Sequence, residues 1–233
     1  MTRQAQRKTT NNRQGKRPTA QTQRQGLRKR VGDAFKKQSI YGQLSPRVRL
    51  AAKMAESAYT TPVKRPKQIE TWTLRPGMSH KRFVVYTNND NAVYLGLRGT
   101  ADATDLLTDA SLAVGRLTKT KHYKNALADV DRVIKDFPKG TKIYASGHSL
   151  GSRVLRLISQ SRPITGIGFN TGSGAVSKKD NPTGETVGKF EDHHVKGDLI
   201  SATSRLTDGQ HTAYEGVNNP LTAHSLSNFL APK

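Results

Sequence analysis

The sequence predicts an α/β fold: a mostly parallel central sheet with helices on both faces, preceded by a disordered basic N-terminal arm. Three observations predict it. Short apolar runs with strand character alternate with helix-periodic stretches from about residue 46 onward, the pattern of strands joined by crossover helices. One strand-to-helix junction, "KIYASGHSLGSRVL" from Lys142 to Leu155, carries a serine flanked by glycines two positions to either side. Charge is also unevenly spread. The first 50 of 233 residues hold 14 Lys+Arg and a single acid, Asp33, whereas the remaining 183 hold 25 basic and 16 acidic groups.

Residues 1–38 are rich in Gln, Arg, Lys and Thr, with Phe35 as their one aromatic. Such a stretch buries too little surface to offset its ordering entropy, so a disordered arm is expected. Residues 39–233 are expected to form one domain, which a chain of this length can fold around a single core. The domain opens with a helix from Pro46, capped by Ser45, to about Tyr59, before Pro62. Val48, Ala51, Ala52, Ala55 and Ala58 give that helix a face of small residues.

"KRFVVYT" and "AVYLGLRGT" read as two strands around an Asn/Asp turn. In "HYKNALADVDRVIKDFPKG", residues such as Tyr123, Ala126, Val130, Val133 and Phe137 fall on one helical face, and Pro138 and Gly140 stop the helix. "TKIYAS" is a short buried strand. "LGSRVLRLISQS" is helical, with Leu150, Val154, Leu157 and Ile158 inward and Pro163 closing it. "ITGIGFN" is another strand, "DHHVKGDLIS" a strand with a Gly-Asp break, and "TAHSLSNFLAPK" a loop entering a short terminal helix.

Gly147-His148-Ser149-Leu150-Gly151 fits Gly-x-Ser-x-Gly between a predicted strand and a predicted helix. In that context the serine occupies a tight turn whose flanks must lack bulk, and its hydroxyl stands at the carboxyl edge of the sheet. A hydroxyl becomes a nucleophile when a base takes its proton, and the base needs a carboxylate to orient it. Downstream, Asp198 ends a strand and His224 lies on the last loop. Asp192, Asp180 and Asp208 compete for the acid role, and His193, His194 and His211 for the base. Adjacent histidines on a strand point to opposite faces, so "DHH" at Asp192–His194 is read as carrying no metal. Leu150, just after the serine, supplies one backbone donor for an oxyanion, and "LRGT" offers a second near Thr100.

"GLRGT…TDLLTD", "GHSLGS", "GDLIS" and "HSLSNF" occur in this order and together resemble the class 3 lipases, the fungal triacylglycerol-lipase-like branch of the α/β-hydrolases. The resemblance covers roughly residues 46–233. It implies an α/β-hydrolase fold and a lipase or esterase, possibly a phospholipase, acting on carboxylic esters of lipids. It further implies Ser149 as nucleophile, Asp198 and His224 as its partners, Thr100 and Leu150 as oxyanion donors, and a lid near Ser111 to Thr120. Leu106 stands where the family generally has Trp, and Ser152 where it usually has Gly. The candidate lid is short and only weakly apolar.

Neither a metal nor an organic cofactor is expected. With no cysteine in the chain, disulfides and thiolate sites are excluded. The N-terminus has charge but no apolar stretch, so secretion by a classical signal is not expected. The arm is expected to contact polyanions, either nucleic acid or an anionic membrane surface. The expected location is therefore inside a cell, at a membrane periphery, or in a nucleic-acid-containing particle such as a virion. An alternative is a non-catalytic, particle- or nucleic-acid-associated structural protein that keeps the hydrolase fold and works through its arm. The sequence sets no oligomeric state.

Overall fold

The computed structural model describes residues 40–99, 117–172, 187–198, 210–215 and 220–232. The chain divides into two units, Met1–Lys37 and Gln38–Lys233. All described residues belong to the second, so the expectation for the basic arm lies outside them.

Eight strands form one sheet in sequential order. They are β1 (Gln68–Ile69), β2 (Trp72–Leu74), β3 (Phe83–Thr87), β4 (Ala92–Leu97), β5 (Lys142–His148), β6 (Ile164–Phe169), β7 (Lys189–Val195) and β8 (Gln210–Tyr214). β1 to β4 pair antiparallel and β4 to β8 pair parallel. The sheet is thus mixed, and its parallel half carries the site. Three strands were not legible in advance. β1 and β2 are two and three residues long, held by Trp72, which packs edge-on against Tyr94 at 5.4 Å. Four of the five residues of β8 are exposed, so it has no apolar alternation to read.

Helix α1 (Pro46–Tyr59) starts as expected: Ser45 Oγ accepts from the Val48 amide, and Pro46 needs no donor partner. All five residues of its small-residue face are buried, joined by Met54. α1 packs on β4 and β5 in a core with Val84, Tyr86, Phe169 and the C-terminal Phe229. The opposite sheet face carries α2 (Lys121–Asp136), capped by Thr120, and α3 (Leu150–Ser161). Val130 and Val133 of α2 and Val154, Leu155 and Ile158 of α3 fill that second core. Sequence periodicity assigned α3 one inner side. Residues 151–159 are in fact buried all round, including Arg153 and Arg156, while Leu150 is only part-buried. The helix is enclosed rather than laid on the surface.

Within the candidate lid, residues 111–116 lie outside the described residues. Its end is fixed, for Leu117 is 1 % exposed in the second core and Thr120 caps α2. Among the described residues no helix is long and apolar enough to cross a membrane.

Candidate active site

Parallel strands bring their carboxyl ends to one edge. Register pairs Leu97 with Gly147, His148 with Phe169, and Phe169 with His193. The chain leaves that edge at Gly99 after β4, at Ser149 after β5 and at Asp198 after β7.

Ser149 turns from β5 into α3 at φ 58° and ψ −128°, a left-handed conformation that costs a non-glycine residue about 1–3 kcal/mol. The neighbouring glycines permit the turn. A Cβ on Gly147 would stand 2.7 Å from the Ser152 amide nitrogen, and one on Gly151 would stand 2.5 Å from the Leu97 carbonyl oxygen. Ser149 occupies the N-cap of α3 but its side chain caps nothing. Its Oγ instead lies 2.9 Å from His224 Nε2, and His224 Nδ1 lies 2.8 Å from Asp198 Oδ2. All three residues are buried, with His224 the most open at 8 %. An ionised carboxylate only accepts, so Nδ1–H donates to Asp198 and Nε2 is left to accept from the serine hydroxyl.

Three side chains that sequence reasoning passed over hold this geometry. His148 Nε2–H donates to the His224 carbonyl at 2.7 Å, leaving Nδ1 to accept from the Tyr59 hydroxyl at 3.1 Å. The Tyr59 oxygen accepts in turn from the Gly99 amide at 3.1 Å. Burial, reinforced by nearby His224, pushes the His148 pKa down to about 3, and burial pushes the Tyr59 hydroxyl up to about 12. Both are therefore neutral links between the loop after β4 and the backbone of His224. Asn170, fully buried, donates to the Ala223 carbonyl at 2.9 Å and accepts from the Val195 amide at 2.9 Å. It ties the end of β7, three residues before Asp198, to the residue preceding His224. The only advance signal was position, with His148 and Asn170 at the ends of predicted strands and Tyr59 at the end of a predicted helix.

The other candidates are placed elsewhere or not described. His193 bonds to Glu191 at 2.7 Å and to the Tyr214 hydroxyl at 2.8 Å. Asp192 accepts from the Thr171 hydroxyl. Asp180, Asp208 and the oxyanion candidate Thr100 lie outside the described residues. Leu150 begins α3, so its amide is among the first-turn donors that find no partner within the helix.

No family model matches the sequence, and no curated protein does. Among solved structures the chain is similar to a lipase from Rhizopus microsporus var. chinensis, with TM-score 0.51 and 14 % identity over 72 % of this chain and 73 % of that one. A triacylglycerol lipase from Penicillium expansum matches at TM-score 0.49 and 15 % identity over 72 % and 78 %. Lipase II from Rhizopus niveus matches at 0.47 and 14 % over 72 % and 79 %. The protein thus has a lipase-like α/β-hydrolase fold. The likeness lies in the fold, at 14–15 % sequence identity.

Proposed function

We propose that the protein is a serine hydrolase that cleaves carboxylic esters of lipids through a Ser149–His224–Asp198 triad. The observation that carries this reading is the unbroken hydrogen-bond chain from the Ser149 hydroxyl through His224 to buried Asp198. Likeness in fold to the Rhizopus microsporus lipase supports the substrate class.

His224 Nε2 takes the proton as Ser149 Oγ attacks the ester carbonyl carbon. The resulting oxyanion is held by the amides of Leu150 and Thr100. Collapse breaks the ester C–O bond, and His224 returns the proton to the leaving alcohol. Water then attacks the acyl-enzyme by the same route and restores Ser149. Asp198 keeps the imidazole in the tautomer that accepts from Ser149 and stabilises it once it is protonated. The strained turn at Ser149 presents Oγ to His224 in place of a helix cap.

The test is labelling with a fluorophosphonate and hydrolysis of p-nitrophenyl esters by the full chain and by Ser149→Ala. The modified residue is expected to map to Ser149, and the variant to lose both signals. Undiminished turnover by Ser149→Ala refutes the proposal.

A further inference from the structure

We propose that Asp192, His194 and His211 form a binding site for a divalent transition-metal ion of the zinc class, built from residues that take no part in the Ser149 hydrogen-bond chain. One ligand atom from each lies within 4.8 Å of the other two.

Strand alternation does send the adjacent histidines of "DHH" to opposite faces, so those two cannot share an ion. His193 points to the α1 side, bonded to Glu191, which itself pairs with Arg47 of α1. The two-residue period that separates His193 from His194 places Asp192 and His194 on the same face. The parallel register then sets His211 of β8 directly beside Asp192. β8 was not legible in the sequence, so its ligand could not be counted.

The buried carboxylate points to an ion. Asp192 is 1 % exposed. Its Oδ1 accepts from Thr171, whose hydroxyl accepts in turn from Ser152 Oγ at 2.5 Å. Its Oδ2 has no hydrogen-bond partner among the described residues, and His211 Nδ1 stands 3.6 Å away. Folded proteins rarely leave a buried carboxylate oxygen without a donor. A cation shared with the two imidazoles satisfies it. The Ser152–Thr171 pair acts as the outer support that orients a metal-binding carboxylate.

Ligand chemistry selects the metal. Two imidazole nitrogens and one carboxylate oxygen suit Zn²⁺, Co²⁺ or Ni²⁺, whereas Ca²⁺ and Mg²⁺ take mostly oxygen. A tetrahedral zinc with bonds of about 2.0–2.2 Å places its ligand atoms about 3.3 Å apart. The Asp192–His211 separation is already close to that edge. The widest separation, 4.8 Å at most, has about 1.5 Å to close (4.8 − 3.3), within reach of an imidazole rotation. Among the described residues β8 is the last strand of the sheet, and the site is reached from its side, where the His211 side chain is 25 % exposed and Ala213, in register with His194, is exposed. An ion held by both strands clips β8 to β7.

The experiment uses the full chain, stripped with a chelator and then equilibrated with ZnCl₂. Bound zinc is counted by elemental analysis, and affinity is read by competition with a chromophoric chelator. One zinc per chain is expected, weakened more than about 100-fold in His211→Gln and unchanged in His80→Ala. Co²⁺ in place of Zn²⁺ should give the visible bands of a four- or five-coordinate site. Zinc should raise the melting temperature of the parent chain but not of His211→Gln, while the two melt alike in chelator. If His211→Gln fails to fold, His194→Gln replaces it and the same readings apply. A parent chain that takes up no stoichiometric zinc at micromolar concentration overturns the proposal, leaving a plain Asp–His pair. Equal affinity in the ligand variants overturns it as well. Neither result bears on Ser149 labelling, so the two proposals fail independently.

Discussion

His148 makes the fold acid-sensitive by an amount that can be worked out. Its folded pKa of about 3, set first by burial and then by the nearby His224, lies well below the ordinary 6.5. Between those values the unfolded chain binds a proton that the folded chain refuses, so stability rises with pH and is lost as pH falls from about 6.5 toward 3. At pH 4.5 the linkage amounts to about 2.5 kcal/mol more destabilisation than at pH 7. His148→Gln keeps a neutral donor toward the His224 carbonyl but does not titrate. Denaturant unfolding of both chains at the two pH values isolates the residue, since groups common to both cancel in the double difference. The parent chain should lose about 2–3 kcal/mol more than the variant on acidification. A double difference under about 1 kcal/mol shows that His148 titrates as in water and that the neutral link to His224 is absent.

Three further outcomes follow from the geometry. Asp198→Asn should lower kcat by about 10⁴-fold with little change in KM, because an amide donating to Nδ1 leaves Nε2 protonated and unable to accept from Ser149; steady-state ester kinetics decide it, and a loss under tenfold rejects the role. Asn170→Ala leaves the Val195 amide and one bond to the Ala223 carbonyl unmade inside the fold, so unfolding free energy should fall by about 2–3 kcal/mol, with kcat falling too; a change below about 0.5 kcal/mol, the range of an ordinary surface substitution, contradicts the bridge. We also propose that the basic arm holds polyanions. Deleting residues 1–38, which carry 12 Lys+Arg and one Asp, should abolish salt-sensitive binding to DNA or to anionic vesicles, and equal binding by both chains removes the arm from consideration.

What was legible in the sequence is what leaves a periodic or stereochemical mark. The Ser45–Pro46 cap, the small-residue face of α1 and the apolar face of α2 each repeat at helical spacing, and the strand–Gly-x-Ser-x-Gly–helix turn needs two glycines whose absence of Cβ is visible in the letters. β8 left no such mark because four of its five residues are exposed and Tyr214 alone reaches the core. The supporting residues were hidden for a related reason. His148, Tyr59 and Asn170 act through individual hydrogen bonds that span 25 to 89 positions of sequence, and a bond of that span has no local pattern.

The setting of His224 shows why those hidden residues bear on chemistry. Its flanking elements are a four-residue helix (Pro220–Ala223) and a four-residue 3₁₀ turn (Leu226–Phe229), far too short to hold a shape alone. Three successive carbonyls there are instead gripped by side chains: Thr222 by Asn228, Ala223 by Asn228 and Asn170, and His224 by His148. Phe229 anchors the far side, its ring 4.8 Å from that of Phe169 in the core. The orientation of the imidazole is therefore set by residues that never meet a substrate. An angular error of the His224 peptide moves Nε2 away from Ser149 and Nδ1 away from Asp198 together. Loss of a grip on these carbonyls should thus lower kcat before it lowers substrate affinity, and a defect confined to KM would be inconsistent with this arrangement.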